Sequence, residues 1–379
     1  MNIAKKISWI SLATLIVSSV FANSQDIPSY SDPCPSKKID ECDECYEISM
    51  GKPYKQGYEI CEDVLPIAYN APANIDICRG VDTYVSASFI YWQKLSDQLD
   101  LGRSRITSDD PQRYKAIKFS TEYEPGFKVG LGFHFNHDNW QMFAQYTRLH
   151  ALEKTTYKPS TVDQGNFVSS WYITRPGTIS FDDISSDGVR ARWKMNLDKI
   201  DLELSRPLYV GTHLITTTFA GASNHWMYQS YDFLLEENTL SQHIFIKNDS
   251  WAIGPRLGID TKWILYKRFS FFLVGSLSLM FAENDVSGSG NEDATGFELD
   301  KIQKLILRDV EELQIGFGWN SYFTNDKWYM NISLAYEAQR YSNTNYMSYY
   351  SQINEDDSKQ VKPADTFLHG LTFTARFDF

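Results

Sequence analysis

Phe367-Leu-His-Gly-Leu-Thr-Phe-Thr-Ala-Arg-Phe-Asp-Phe379 is the stretch on which the fold turns. Phe379, Phe377, Ala375, Phe373 and Leu371 share one side of an extended chain, and Asp378, Arg376, Thr374, Thr372 and Gly370 share the other. Side chains alternate across a strand with period two, so one face is aromatic and oily while the other is wet. The last strand of a soluble sandwich rarely ends on three exposed phenylalanines, because such an edge invites aggregation. A strand closing a barrel in lipid needs that face, with its polar residues turned to the lumen.

The opposite end of the chain points to export. Lys5 and Lys6 precede an apolar run from Ile7 to Val20, and Val20-Phe21-Ala22 offers small residues for cleavage. This reads as a secretory signal peptide over residues 1–22, too short for a confident transmembrane helix. No comparable apolar stretch follows, so any crossing of a membrane must use strands. A mean hydropathy of −0.38 with 15% aromatic residues and 13 prolines fits a barrel, half of whose strand residues face water. The net charge of −12, which becomes −14 without Lys5 and Lys6, argues against nucleic acid as a partner.

Cys34, Cys42, Cys45, Cys61 and Cys78 all precede the strands, in a proline-punctuated segment over residues 23–80. Export places these thiols in an oxidising compartment, so the segment is expected to be periplasmic and disulfide-bearing. An odd cysteine is left for pairing with a second copy or another envelope protein. Cys42-Asp-Glu-Cys45 lacks the second close Cys/His pair of a zinc site and the βαβ context of a redox motif. No metal or other cofactor is expected.

From residue 81 to 379 the alternation recurs, giving an all-β reading: a transmembrane antiparallel up-and-down β-barrel of about ten strands. Phe127 to Phe135 alternate with Lys128, His134 and glycines; Phe143 trespasses on the polar face of its strand. Val189 to Leu197 alternate in odd register and Ile200, Leu202 and Leu204 in even register, a slip that predicts a β-bulge. Short turns near Asn136–Asn139, Pro207–Thr212, Tyr266–Arg268 and Thr324–Lys327 alternate with polar loops at 94–124, 149–187, 229–250, 282–304 and 340–366. Short periplasmic turns and long outer loops are the layout of an outer-membrane barrel. The run around Phe167 to Ile173 leaves room for a further hairpin, and so for twelve strands or more. Trp92, Trp140, Trp263, Tyr322 and Trp328 near strand ends suggest interfacial girdles.

Parity places Lys128, Arg190, Arg192, Lys194, Arg256, Lys262 and Arg376 on polar faces as lumen-lining cations, with Asp260, Glu337 and Asp378 as their acidic partners. Such charges are either neutralised in pairs or bias the passage of anionic solutes. No nucleophile elbow, metal pair or phosphate loop stands in the sequence, and the chain is expected not to be an enzyme.

Glu124-Pro-Gly-Phe-Lys-Val-Gly-Leu-Gly-Phe133, Asp138-Asn-Trp140 and Tyr146-Thr147 resemble the Legionella major outer membrane protein family, which has relatives in chlamydia-like bacteria. Further matches are Ile200-Asp-Leu-Glu-Leu204, Phe219-Ala-Gly221 ahead of Trp226, and Trp251-Ala-Ile-Gly-Pro-Arg-Leu-Gly-Ile-Asp260, over roughly 80–379. The resemblance implies a porin in the outer membrane of a Gram-negative bacterium, passing small hydrophilic solutes or ions, with no catalytic residues. The closing strand likewise resembles those read by the barrel-assembly machinery, with Phe373, Phe377 and Phe379 as its signal and outer-membrane lipid as its surroundings. The alternative is a non-conducting surface protein, an adhesin or a disulfide-linked structural component of the envelope.

Overall fold

The computed structural model describes residues 71–73, 75, 77, 82–107, 113–135, 139–158, 167–169, 188–237, 240–266, 268–292, 295–323, 327–347 and 362–379. The expected signal peptide and all five cysteines lie outside the described residues.

Ten antiparallel strands form the wall: β1 (Thr83–Ser96), β2 (Tyr123–His134), β3 (Gln141–Tyr157), β4 (Gly188–Tyr209), β5 (Leu214–Glu237), β6 (Leu240–Tyr266), β7 (Phe269–Glu292), β8 (Thr295–Phe323), β9 (Trp328–Asn345) and β10 (Ala364–Asp378). Each pairs with its neighbours in sequence, and β10 pairs with β1, from Thr366↔Ser96 to Asp378↔Tyr84, to close the barrel. Within the membrane this closure leaves no unpaired edge, which lipid demands; above it, residues 295–309 of β8 pair only with β7 and 150–157 of β3 only with β4. Phe167–Ser169 adds no barrel hairpin. It pairs with Gly102–Thr107, which also pairs with Arg113–Ile117, in a separate small sheet. Ala71–Pro72 lies against Leu208 and Tyr209 at the turn end of β4.

Two of the anticipated loops are strand. β5 and β6 run to Glu237 and from Leu240, and β7 and β8 to Glu292 and from Thr295, so 229–250 and 282–304 are mostly ladder. A tilted strand crosses the hydrocarbon with about 9–11 residues. β4 to β8 have 22, 24, 27, 24 and 29, so a large part of each stands clear of the hydrocarbon.

The expected bulge in β4 is absent, and the reason explains the tall wall. β4 pairs with β3 without a break from Ser205↔Gln141 to Val189↔Tyr157, and with β5 throughout. Its odd residues all face inward. Ile200, Leu202 and Leu204 are exposed outside, whereas Val189, Ala191, Trp193, Met195 and Leu197 are buried inside. The backbone keeps its phase while its surroundings change sides. Below Ile200 the outside is lipid; above it the outside is water and the inside is the oily core.

Aromatic rings mark both lipid edges, as amphipathic rings do at headgroup level. At the turn end Trp328 lies 6.3 Å from Phe379 and Trp263 5.5 Å from Phe271. At the other, Tyr91 stacks on Tyr123 at 5.4 Å, Tyr336 shares a 2.7 Å hydrogen bond with His369, and Trp251 meets Phe281 at 6.0 Å. Phe373, Phe377 and Phe379 lie on the lipid face between. Two tryptophan-and-tyrosine assignments fail. Trp92 is buried inside with its indole N–H on Thr372 Oγ1, and Tyr322 lines the lumen against Tyr329.

Candidate functional site

The lumen is built in layers. Its turn end is a polar cavity of about 460 Å³, walled by residues such as Ser86, Gln145, Thr217, Asp260, Asn331 and Thr374. Phe143 belongs here, stacked on Tyr84 at 5.7 Å. The glycines facing them on β2 make that possible, because a Cβ on Gly130 would fall 2.4 Å from the Phe143 ring and one on Gly132 2.0 Å from Tyr84.

Charges line the cavity from its upper wall down to the turn end. Arg256 on β6 grips Glu312 on β8 with two parallel bonds of 2.8 and 2.9 Å, and its Nε donates to Glu203 on β4 at 2.8 Å. Lys199 on β4 reaches across to the same Glu312 and lies 3.0 Å from Asp201, which accepts from Ser223 at 2.6 Å. Lys128 on β2 pairs with Glu337 on β9 at 2.6 Å, and Arg376 with Asp378 at 2.6 Å, beside His134. Asp260 and Lys262 share the cavity wall with Arg376.

Lys128, Arg256, Asp260, Lys262, Glu337, Arg376 and Asp378 therefore all face the lumen. Arg190, Arg192 and Lys194 do not, which corrects the parity assignment. They stand exposed on the outer face of β4, above the lipid, because the alternation was continued through a change of surroundings. Sequence reasoning passed over Lys199, Asp201, Glu203, Glu312 and Arg308. Glu312 immediately precedes Leu313, so one further residue of alternation reveals it.

Arg308 forms the next layer, wholly buried. Its Nη1 donates to His225 Nε2 at 2.9 Å and Ser250 Oγ at 2.8 Å, its Nη2 to Asn284 Oδ1 at 2.8 Å, and its Nε to Ser342 O at 3.2 Å. Neutral acceptors from four strands, β5, β6, β7 and β9, thus hold one buried cation of β8.

The outer half holds two apolar clusters with polar residues between them. Ile90, Trp92, Leu149, Met195, Leu197 and Met227 begin a buried cluster on the inner wall. A second cluster above contains Trp193, Tyr231, Phe233, Ile244 and Ile246, together with Leu99, Leu101 and Ile117 from the β1–β2 connection. Phe119 closes on Trp193 at 6.3 Å and on Tyr231 at 5.9 Å. Gln229 on β5 and Asn248 on β6 donate to Thr344 O on β9 at 3.3 and 2.7 Å. Opposite walls touch here through their own side chains. Glu153 sits in this half, above the lipid edge, and burial pushes its carboxyl up to about 7 despite the opposing pull of Lys94.

The sequence model of the Legionella pneumophila major outer membrane protein precursor matches residues 78–379, the whole described barrel. The chain belongs to the Legionella major outer membrane protein family. No curated protein matches it. Among solved structures, the Escherichia coli outer membrane protease OmpT shares 9% identity, covering 81% of this chain and 99% of that one at a TM-score of 0.41. The Yersinia pestis attachment invasion locus protein Ail shares 7%, covering 78% and 99% at 0.20. The Pseudomonas putida toluene transporter TodX shares 7%, covering 79% and 90% at 0.21. This member of the family is an outer-membrane β-barrel with a layered, filled lumen.

Proposed function

We propose that the protein is a surface barrel of the outer membrane that holds no open pore, its projecting wall serving as a rigid stalk for the outer hairpins and loops. The observation that carries this reading is the apolar packing of the outer lumen, where Trp193, Tyr231, Phe233 and Ile244 from three adjacent strands meet Leu99 and Leu101. Hydrating each such side chain costs about 1.5–3 kcal/mol. Most belong to the wall itself, so no single loop movement clears a path. Cys34, Cys42, Cys45, Cys61 and Cys78, on the periplasmic side, supply a means of linking the barrel to like chains or envelope proteins. Disulfide-linked multimers on non-reducing gels of native envelopes, lost with reductant, are the expected sign of such links. We propose no catalytic step.

Passive diffusion of small hydrophilic solutes is the second reading, supported by the polar cavity of about 460 Å³ within the membrane and by the pore-forming character that the family resemblance implies. Planar-bilayer recording of refolded, heat-modifiable protein separates the two. Under the first reading current stays at the protein-free baseline. Stable unitary steps that scale with electrolyte conductivity would establish the second.

A further inference from the structure

The outer face of β3, β4 and β5 carries a feature that neither lumen nor core uses. Ascending from the lipid edge, where Tyr146 pairs with Ile200 and Asp198 with Trp226, the outward positions are Arg148, His150, Leu152 and Lys154 on β3 and Asn196, Lys194, Arg192 and Arg190 on β4. Lys154, Arg190 and Arg192 line a depression of about 310 Å³ with Asp232, Leu234 and His243. Asp198 lies near Arg148 and His150 at 3.8 and 3.6 Å. Asp232 is engaged by His243 at 2.8 Å and stands 4.0 Å from Arg192. Lys194 lies over the Tyr228 ring at 5.7 Å. Cations outnumber acids here on a chain whose net charge is −12. The excess of cations ends there, since the corresponding outward positions on β6 and β7 set Lys247 against Asp249, Glu283 and Asp285.

Height decides what such a patch meets. Arg192 stands six residues beyond Asp198 on the same strand, about 20 Å along it at ~3.3 Å per residue and about 15 Å in height at a tilt of ~40°. A phospholipid headgroup layer adds only about 5–7 Å on each side of the hydrocarbon. Anions that begin at the membrane surface and continue outward fill the whole height of the row. The geometry points to this face as a binding surface for the phosphate groups of an anionic outer-leaflet glycolipid whose saccharide headgroup rises along the barrel wall. Arginine supplies planar paired donors to phosphate and lysine a point charge, while the exposed Ile200, Leu202 and Leu204 below hold the acyl chains.

The test uses the full chain reconstituted in phosphatidylcholine vesicles containing lipopolysaccharide, with lipid phosphate retained per barrel measured after detergent extraction and washing. Wild type is expected to retain lipopolysaccharide but not its chemically dephosphorylated form. Combined Lys154→Glu, Arg190→Glu, Arg192→Glu and Lys194→Glu should cut retention at least fivefold, while Lys301→Glu, remote on β8, leaves it unchanged. If the reversed variant fails to fold, the four Gln substitutions serve in its place and should lose retention severalfold. Undiminished retention in the folded variant, or equal retention of the dephosphorylated lipid, overturns the proposal. So does capture of free inorganic phosphate as strong as that of the lipid, which would assign the face to a soluble anion.

Discussion

Arg256 and Glu312 face each other across β7, joined by two parallel hydrogen bonds of 2.8 and 2.9 Å with neither side chain open to bulk water. Breaking such a pair on one side leaves a buried charge uncompensated, which costs about 3–5 kcal/mol. Arg256→Ala is therefore expected to lower barrel stability by that order, because Glu312 then keeps only Lys199 and Glu203 loses its Nε donor. Arg256→Met combined with Glu312→Leu should recover much of the loss. Urea unfolding in detergent, followed by heat-modifiability on gels, measures both; a double variant as weak as the single would show that the charge network is held by more than this pair.

The reversal of alternation at Ile200 predicts which tryptophans lipid touches. Brominated acyl chains should quench Trp226 and Trp251, and leave Trp92 and Trp193 bright, in variants retaining just one of the chain's 10 tryptophans. Quenching of Trp193 would mean that the odd register of β4 faces outward after all.

Substitutions across that boundary should follow the same logic. Leu202→Asp and Phe377→Asp place charge against hydrocarbon and should each cost up to about 2 kcal/mol, depending on depth. Leu197→Asp, inside the apolar core, should cost more, since a carboxylate there has neither lipid edge nor water to retreat to. Lys194→Ala, outside in water, should leave the heat-modified gel shift unchanged.

Glu153 gives the outer half a pH dependence. Its folded pKa of about 7 lies above its ordinary 4.5, so between those values the folded state holds a proton that the unfolded state has released. Stability contributed by this group thus falls as pH rises from about 4.5 to about 7 and then levels off. Glu153→Gln should flatten that part of the curve in equilibrium unfolding measured across the range; an unchanged slope would place the titration elsewhere.

Much of the membrane portion was legible because lipid imposes one rule on every strand. Phe377, Phe373, Leu131, Leu257 and Phe317 obey it, and parity from them puts Lys128, Arg256 and Arg376 in the lumen. The projecting wall obeys the opposite rule, and nothing in a local window says which applies. Val189 to Leu197 looked like lipid-facing residues because an oily core and a lipid bath select the same side chains. The β5–β6 and β7–β8 hairpins were hidden for a related reason. With water outside, their outward residues are Lys247, Asp249, Glu283 and Asp285, a composition shared with loops. Cross-lumen partners such as Lys199 and Glu312 depend on the stagger of strands around the barrel, which no single strand encodes.

The unbroken register of β4 through Ile200 lets one set of hydrogen-bonded ladders serve two surroundings, a closed barrel in lipid and, above it, a curved sheet of β3 to β8 in water. Their lengths are then independent. Residues added in cross-strand pairs at the Glu237–Leu240 or Glu292–Thr295 tips would raise the aqueous rim by about one ladder step at a time, with every lipid contact below left in place. A lineage or an engineer can tune how far this surface reaches from the cell without renegotiating how it sits in the membrane.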